Sequence, residues 1–518
     1  MAVNQIADNR RIAKNTMFMY IRMLVSMAVS LFTARITINA LGFDNYGIYN
    51  IVGSIIVFFT FLNQGLTTAT RRYITAELAK GTPDSQQNIF NLTIWSHVGI
   101  AGVILIIAET VGLYIVNFVL NIPADRMFAA NIAYQMSVLA ALLAVMQVPF
   151  NVAITANERM NIYAYISLLS VFCKLGVAYG VLLIQGDKLI IYSILLLLVS
   201  LLEVAVYRIY CYKSFPMCKY KRPHGRNLLK EMFGYMGWSL LSQVVVVLTN
   251  QGVSILVNIF FSVVANAAMG ISNQITGIVN NFVMNFQIAF NPQITKLYVS
   301  KEHDAMNNLA IRSSRMSTYL VLVFLIPICF QIRNFLTVWL GDYPEYAIEF
   351  CILTLVAIFI DSTSAPLWMI LSSDKDVKKY QITISTICSF NFFGAWLLLY
   401  LGFPPYSVII SRIIVYSIAI IARLILVKER VPSYPVKVWF NEVIIGTFKV
   451  VAIPVAVLLF VTQYSFGNNI VELFVFSGSA LVLTGLSIYL LGLKTSERSF
   501  INNKVLSILK VKNNVGTN

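Results

Sequence analysis

Charged residues are scarce in this sequence. They account for 12% of its 518 residues, whereas hydrophobic residues account for 58%. Soluble domains usually carry about 25% charged residues. Histidine occurs 3 times and cysteine 6 times, without the CxxC pairs or the spacing that metal sites need. The composition excludes an ordinary soluble domain and indicates a multi-pass membrane protein, in which we interpret the cysteines as packing residues.

The sequence also lacks the motifs of nucleotide hydrolysis and of common hydrolases. It has no GxxxxGK[ST] loop, no HExxH and no GxSxG motif, and no long polar stretch that would form a soluble ATPase domain. We therefore expect a protein that is not an enzyme and that needs no cofactor. Any driving force would come from the membrane potential or from coupling to Na+ or H+.

Apolar runs of about 20 residues mark membrane-spanning helices. About fourteen such runs follow one another along the chain. The predicted fold is therefore an all-α polytopic membrane protein, with two six-helix lobes (6+6) and two C-terminal helices. The predicted spans are 16–38, 47–69, 89–116, 127–151, 162–185, 188–210, 232–262, 265–292, 314–338, 347–372, 381–401, 405–427, 442–464 and 468–492.

The distribution of Lys and Arg tests this assignment independently. Cytoplasmic loops of membrane proteins are enriched in both residues. Here they concentrate in the N-terminal segment, in alternate loops and in the C-terminal tail, whereas Arg126, Lys188 and Arg333 are the ones assigned to the opposite side. We predict that both termini are cytoplasmic, in a bacterial inner membrane. The net charge of +16 then reflects topology and does not call for nucleic acid.

The most basic loop, 211–231, divides the first six predicted spans from the next six. A weak internal repeat supports two lobes: Gly47-Ile48-Tyr49-Asn50 resembles Gly270-Ile271-Ser272-Asn273, and the same offset pairs Gln64 with Gln287. The predicted domains are an N-terminal lobe at 1–210, a linker at 211–231, a C-terminal lobe at 232–428, two additional helices at 429–493 and a basic tail at 494–518.

A row of amides marks the eighth predicted span. Asn266, Asn273, Asn280 and Gln287 recur every seven positions within 265–292. On a straight helix such a step drifts by only about 20°, so the four amides share one face. Because amides in hydrocarbon need a partner or water, the row favours a helix that faces a polar lumen. The alternative is that the amides link neighbouring helices.

Several ionisable residues lie within predicted spans. Lys174 and Asp361 lie near the middle of theirs, where a charge costs at least ~2.5 kcal/mol unless it meets water or a partner. Arg22, Arg35 and Arg412 lie nearer to an interface, where long side chains also reach the headgroups. The acids Glu109 and Glu203 are potential partners for these cations. The sequence leaves open which of these charges meet.

Four segments carry a family resemblance. They are Asn39-Ala40-Leu41-Gly42, Tyr46-Gly47-Ile48-Tyr49, the stretch from Gly65 to Tyr73, and Asn291-Pro292-Gln293-Ile294-Thr295-Lys296-Leu297-Tyr298. They resemble bacterial polysaccharide (Wzx-type O-antigen and capsule) flippases, within the multidrug/oligosaccharidyl-lipid/polysaccharide exporter superfamily. The resemblance implies a V-shaped pair of lobes around a central cavity that opens alternately to each side. It implies as substrate an undecaprenyl-diphosphate-linked oligosaccharide, moved from the cytoplasmic to the periplasmic leaflet.

In such flippases, cavity arginines and lysines are expected to bind the diphosphate. By their depth, the candidates here are Arg22, Arg35, Lys174 and Arg412. Amides both donate and accept hydrogen bonds, so we expect sugar hydroxyls to meet Asn50, Gln64, Asn266, Asn273, Asn280 and Gln287. Asp361 is the candidate for ion coupling. The expected partners are the lipid-linked oligosaccharide, membrane lipids, a polysaccharide polymerase and glycosyltransferases.

Three alternatives stay open at this point. A multidrug or cation antiporter of the same superfamily would need a lumen rich in acidic and aromatic groups. A lipid II flippase would share the physics of a diphosphate headgroup. A membrane scaffold without transport activity would give no reason for deep charges and a row of amides.

Overall fold

The computed structural model describes residues 2–59, 81–157, 159–222, 247–288, 290–373, 378–461 and 469–499. It also describes residues 67, 70–71, 73–75, 77–78, 224 and 502. Regular secondary structure in these residues is helical throughout. Eleven of the described helical segments are long and apolar enough to cross a membrane. The prediction of an all-α, multi-pass membrane protein is confirmed.

The first seven described α-helices include the four that line the candidate site. The helix that begins at Pro83 continues beyond Ile107 through π-helical turns at Ala108–Gly112 and Ile115–Val119. These helices are α1 (Ala2–Phe59), α2 (Pro83–Ile107), α3 (Met127–Ala156), α4 (Met160–Leu183), α5 (Lys188–Ser214), α6 (Val253–Phe260) and α7 (Val263–Ile288).

The second half contains the remaining helices, including the C-terminal pair. A π-helical segment, Phe440–Ile445, joins the short helix that ends at Trp439 to the helix that begins at Gly446. Another π-helical segment, Ile488–Gly492, follows the last helix, which ends at Ser487. The helices are α8 (Asn291–Val299), α9 (His303–Leu340), α10 (Ala347–Ser372), α11 (Lys378–Tyr400), α12 (Ser407–Arg430), α13 (Val436–Trp439), α14 (Gly446–Val461) and α15 (Asn469–Ser487).

Helix α1 contains the first predicted span and the beginning of the second. It is interrupted at Gly42, whose backbone has φ 75° and ψ 169°. Glycine reaches this region without the steric cost that a β-carbon would add. The interruption lies between the two predicted spans, where the sequence places a break.

Contacts between α-carbons divide the chain into two compact units. Unit 1 comprises 1–274, 343–347 and 388–411, and unit 2 comprises 275–342, 348–387 and 412–518. The boundary near the middle of the chain falls inside α7, after Gln274. The predicted domains were drawn as continuous segments, and their boundaries stay predictions.

The core of unit 1 is built from large side chains on α1 and small ones on α3. Ile48 and Ile55 of α1 and Ala130 and Ala133 of α3 are buried in one cluster with Tyr134. Small residues let helices approach closely, which is how membrane helices gain packing energy without a hydrophobic driving force between them. Tyr134 donates its hydroxyl hydrogen to the Ala108 carbonyl at 2.7 Å, so its buried polar atom is satisfied.

An ion pair at the ends of the spanning helices ties three helices of unit 1 together. Arg126, just before α3, binds both carboxylate oxygens of Asp187 at 2.7 and 3.1 Å and donates to Asn45 of α1 at 3.0 Å. Asp187 also accepts the first amides of α5, from Leu189 and Ile190. Burial alone would raise the pKa of Asp187, but these hydrogen bonds and the Arg126 charge hold it below its ordinary value.

In unit 2 the C-terminal helices pack against α9. Tyr319 of α9 is buried in one cluster with Val450 and Leu458 of α14 and Ala480 of α15. Beside this cluster, Arg315 of α9 is 4% exposed. Its guanidinium binds both carboxylate oxygens of Glu497 at 2.6 and 2.7 Å and Glu442 at 3.2 Å. Two charge pairs therefore join α9 to the chain before α14 and after α15.

Large apolar side chains cover the outer faces of many helices. Leu183 is 85% exposed and Phe118 is 77% exposed. Soluble proteins rarely expose extended apolar surface. These faces have the composition expected where lipid replaces water.

Candidate functional site

A polar cavity of about 290 Å³ lies within unit 1. We call it the Lys174 cavity. Helices α1, α4, α5 and α7 all contribute to its wall. Its lining residues are Ser30, Thr33, Ala34, Thr37, Tyr46, Tyr49, Asn50, Val171, Lys174, Tyr192 and Gln274.

The lining combines one cation with many neutral hydrogen-bonding groups. Lys174 supplies the positive charge, and the other polar groups are hydroxyls, phenols and amides; none of the lining residues is a carboxylate. Asn50 donates to the Tyr46 carbonyl at 2.8 Å, and Gln274 donates to the Tyr46 hydroxyl at 3.4 Å. The rings of Tyr49 and Tyr192 meet edge to face with centroids 5.0 Å apart. Such a surface suits an anion that also carries hydroxyl groups.

Arg22 lies on the same helix as the hydroxyls of this cavity. Its Nη1 donates to Ser167 of α4 at 3.3 Å, and its guanidinium lies 5.1 Å from the centre of the Tyr163 ring. Its buried Nε has no acceptor among the described residues. The contacts with α4 hold the guanidinium in place, and the side chain keeps hydrogen-bonding capacity to spare.

The hydroxyls of α1 form a row that our sequence reasoning missed. Ser26, Ser30, Thr33 and Thr37 follow Arg22 at steps of three or four residues, which places them on one helix face. On α4, Tyr163, Ser167, Val171 and Lys174 follow the same spacing. The signal was present in the sequence, but single Ser and Thr residues are common in membrane helices, where they bond to their own backbone. Tyr192 of the cavity carries no signal in the sequence.

The amide row on α7 divides into two kinds of residue. Asn266 is 1% exposed, and its carboxamide lies 2.9 Å from the Ser254 hydroxyl oxygen, so this amide serves packing. Asn273 and Asn280 are exposed. Gln287 is half-buried and donates to Ser317 at 3.5 Å. Gln64, the amide paired with it by the repeat, lies outside the described residues.

The remaining candidates are not brought into the Lys174 cavity. Arg35 is an exposed residue of α1. Arg412 is 8% exposed and belongs to unit 2, as does Asp361. The Asp361 carboxylate binds Arg423 at 3.1 Å, and Arg423 also donates to Ser364 at 2.6 Å. Asp361 therefore has a cationic partner that our sequence analysis did not identify, and its role in ion coupling stays a prediction.

The two deep acids of unit 1 are bound by neutral groups. Glu109 accepts a hydrogen bond from Gln135 at 3.0 Å. Glu203 accepts one from Gln147 at 3.2 Å and one from Ser170 at 2.9 Å. Sequence reasoning offered these acids as partners for the deep cations, whereas the contacts that the structure shows for them are with amides and a hydroxyl.

No family model and no curated protein matches the sequence. Solved structures do match. The lipid II flippase MurJ, in its inward closed conformation, has a TM-score of 0.68 at 11% identity, covering 92% of this chain and 98% of that chain. An inward-facing multidrug resistance MATE transporter of the MOP superfamily has a TM-score of 0.59 at 14% identity, covering 80% of this chain and 98% of that chain.

A MOP superfamily transporter from Pyrococcus furiosus has a TM-score of 0.57 at 14% identity, covering 81% of this chain and 96% of that chain. Its structure is described as having a binding pocket of reversed polarity that suggests a different function. These likenesses concern the arrangement of the helices. The chain has the fold of MOP-superfamily transporters.

Proposed function

We propose that this protein is a flippase for lipid-linked oligosaccharides. It would move an undecaprenyl-diphosphate-linked repeat unit from the cytoplasmic to the periplasmic leaflet of a bacterial inner membrane, by exposing the site alternately to each side. The product would serve surface polysaccharide (O-antigen or capsule) synthesis, in company with glycosyltransferases and a polymerase. The carrying observation is the Lys174 cavity: a cation among hydroxyls and amides, inside apolar helices, with no carboxylate in its lining.

The charge of the cavity favours an anionic headgroup over a cationic drug. Lys174 would attract a phosphate, and an ammonium is a strong point-charge donor to phosphate. The hydroxyls and amides of Ser30, Thr33, Asn50 and Gln274 would meet sugar hydroxyls. Arg22, on the same helix face as these hydroxyls, would bind the second phosphate. A cationic substrate would find repulsion from Lys174 and no acid in this cavity to offset it.

Lipid II remains a second candidate substrate because a specific observation favours it. The structure of the lipid II flippase MurJ is similar to this chain over 92% of its length. A lipid-linked diphosphate is common to both proposals, and the cavity residues would bind it in the same way. The glycan distinguishes the two, so the test must present both.

The test uses the purified protein in liposomes with two labelled lipids, an undecaprenyl-diphosphate trisaccharide and lipid II. We expect Lys174→Gln and Arg22→Gln each to weaken headgroup binding by about tenfold or more, since a hydrogen bond to a charged group is worth about 1.5–3 kcal/mol. Lys174→Arg should retain most of the binding. Lys188→Ala is the matched control, because Lys188 is an exposed lysine of unit 1 that does not line the cavity.

Three outcomes distinguish the candidates. Faster translocation of the trisaccharide lipid supports the polysaccharide flippase, and faster translocation of lipid II supports the alternative. Export of a cationic dye such as ethidium, with no translocation of either lipid, contradicts both. Undiminished binding in Lys174→Gln and in Arg22→Gln removes these residues from the diphosphate site.

A further inference from the structure

An apolar cavity of about 470 Å³ lies within unit 2. We call it the Trp439 cavity. Its wall is formed by α9, α10, α12 and the helical stretch that runs from α13 to α14. Trp439 and Val443 are buried at its inner side, whereas Ile421, Phe440 and Phe448 are exposed at its rim. The cavity therefore opens onto the apolar outer face of the protein.

Three hydroxyl groups belong to the lining of this cavity, and two of them are bonded to their own helix. Ser417 donates to the Ile413 carbonyl at 2.8 Å, and Thr363 donates to the Ile360 carbonyl at 2.8 Å. Thr447 is only 4% exposed, and its hydroxyl has no partner among the described residues. A buried hydroxyl gains free energy from an acceptor. Thr447 therefore indicates a ligand that brings one acceptor to this point of the wall.

The rest of the wall suits a hydrocarbon chain. Its other lining residues are aliphatic or aromatic, and the indole N–H of Trp439 already donates to Ser314 at 3.4 Å. An apolar cavity of roughly 150 Å³ excludes water and binds small apolar molecules, and the Trp439 cavity is about three times that size. Because its rim lies on the face that meets lipid in a membrane, the hydrocarbon available to it is a lipid acyl chain.

Two lysines flank the opening. Lys428 follows the lining residue Leu424 by four positions on α12, so it continues the same helix face beyond the cavity. Lys449 is exposed and directly follows the rim residue Phe448. A lysine at this depth extends its ammonium toward the headgroups. Both lysines therefore place positive charge on the headgroup side of the opening.

The acids near this opening are bound to other cations. Glu429, next to Lys428, pairs with Lys379. Glu442 pairs with Arg315 at 3.2 Å and with Lys494 at 2.6 Å. These acids are thus compensated by partners of their own. The opening presents net positive charge to a lipid headgroup.

We propose that the Trp439 cavity binds one acyl chain of an anionic glycerophospholipid. The lipid belongs to the leaflet on the side of Lys428, which the sequence predicts to be cytoplasmic. Side chains on a helix tilt toward its N-terminus, so the Thr447 hydroxyl points toward the headgroups. It donates there to an ester carbonyl at the top of the chain. Lys428 and Lys449 attract the phosphate.

The bound chain would complete the packing of α14 on unit 2. On one side, Val450 and Leu458 of α14 pack in one cluster with Tyr319 of α9 and Ala480 of α15. On the other side, α14 faces α10 and α12 across the Trp439 cavity. The phospholipid is therefore a structural ligand that joins α14 to these two helices. This inference does not rest on the proposed function, because the lipid is not the transported molecule.

The first measurement tests the hydroxyl contact. Phosphatidylglycerol is added to the purified full-length protein in detergent, and the bound fraction is measured by native mass spectrometry. We expect Thr447→Val to lower the affinity roughly fivefold, the effect of one neutral hydrogen bond. Thr363→Val is the matched control, because it removes a hydroxyl of the same wall that is already bonded to its own helix. Equal affinities for the two valine variants overturn the contact with Thr447.

The second measurement tests the charge of the headgroup. The same titration compares phosphatidylglycerol with zwitterionic phosphatidylethanolamine. We expect the unmodified protein to prefer phosphatidylglycerol, by roughly fivefold for each lysine. Lys428→Gln/Lys449→Gln should abolish the preference, whereas Arg333→Gln should keep it, because Arg333 is an exposed cation at the opposite end of α9. Equal affinity of the unmodified protein for both lipids overturns the anionic headgroup.

The third measurement tests where the chain lies. Bromine atoms on an acyl chain quench the fluorescence of a tryptophan that they contact. Trp439 is 1% exposed, so lipid on the outer face does not reach it. We expect dibrominated phosphatidylglycerol to quench the emission that Trp439→Phe removes, and Val451→Phe, which narrows the cavity, to reduce that quenching. Trp396 is 44% exposed and reports that the brominated lipid surrounds the protein.

Two results overturn the site itself. One is full emission from Trp439 while Trp396 is quenched, which means that the chain does not enter the cavity. The other is displacement of phosphatidylglycerol by an equimolar amount of undecaprenyl phosphate, which assigns the cavity to a polyprenyl chain. Both results are independent of the Lys174 cavity. Translocation of labelled lipids in liposomes decides the proposed function separately.

Discussion

The α-carbon of Gly47 faces the carbonyl oxygen of Val263 so closely that a β-carbon on residue 47 would lie 2.0 Å from it. This contact marks the crossing of α1 and α7. At the same crossing a β-carbon on Gly270 would lie 2.8 Å from Asn50 Nδ2. The two glycines are the ones that the weak internal repeat places in equivalent positions. Gly47 lets the two backbones approach, and Gly270 leaves room for the Asn50 side chain.

Substitution of Gly47 should therefore lower the stability of the folded protein. Gly47→Ala forces the two backbones apart, and overpacking of this kind typically costs about 1–3 kcal/mol. We expect a lower melting temperature for the detergent-solubilised variant. Gly53→Ala is the control on the same helix, since a β-carbon there meets nothing within 4 Å and alanine favours helix by about 0.5–1 kcal/mol. Equal melting temperatures for the two variants would contradict the close approach of α1 and α7 at Gly47.

The amides of α7 should separate into structural and functional residues. Asn266→Leu removes a buried partner of Ser254 and should lower stability by about 1–3 kcal/mol, the cost of an unsatisfied buried group. The double variant Asn273→Leu/Asn280→Leu changes exposed side chains and should melt near the unmodified protein. Its translocation of labelled lipid in liposomes should nevertheless fall. Loss of folding in the double variant would support the packing interpretation for these two amides as well.

The Arg126–Asp187 pair predicts a pH-dependent stability. Because the folded protein holds the pKa of Asp187 below its ordinary value, the pair contributes stability above the unfolded pKa of about 3.9 and loses it as the pH falls through the folded pKa. Asp187→Asn should therefore melt at a lower temperature at neutral pH, and the difference should narrow below about pH 4. The measurement is a melting temperature across pH.

A surface ion pair of the same unit provides the control for that measurement. Lys221 and Asp84 are 52% and 83% exposed in their side chains, and exposed pairs contribute little. Lys221→Ala should leave the melting temperature unchanged from acidic to neutral pH. Asparagine keeps the helix cap, so a constant difference between Asp187→Asn and the unmodified protein at all pH values would mean that the lost second acceptor oxygen for Arg126, and not the charge, accounts for the effect.

The buried pair of Arg315 and Glu497 should be the costliest charge pair to break. Their side chains are 5% and 7% exposed. Removing one partner of a buried pair costs about 3–5 kcal/mol when the other charge is left uncompensated, and the contact that Glu497 keeps with Arg312 at 3.0 Å places Arg315→Met at the lower end of that range. We expect Arg315→Met to lower the unfolding free energy accordingly. The double variant Arg315→Met/Glu497→Leu should recover much of it. Lys379→Ala, which breaks an exposed pair with Glu429, should cost at most about 1 kcal/mol.

The sequence by itself determined the fold class and the depth of the charges. A helix in a membrane satisfies its backbone hydrogen bonds within its own segment, so the length and hydropathy of each run are sufficient to predict it. For that reason the helices α3, α4 and α5 agree with the predicted spans at 127–151, 162–185 and 188–210 within a few residues at most ends. The depth of Lys174 follows from its place in such a run.

Only the tertiary structure decided which side chains meet. Pairing depends on how neighbouring helices rotate and slide against one another, and small residues such as Ala133 and Gly47 control that packing through contacts far apart in sequence. This is why the partner of Asp361 proved to be Arg423, why Asn266 is buried among neighbours, and why Lys174 shares a cavity with Tyr192, which no motif marks. Hydropathy can be calculated from one segment alone, whereas a binding site is formed by residues from several segments.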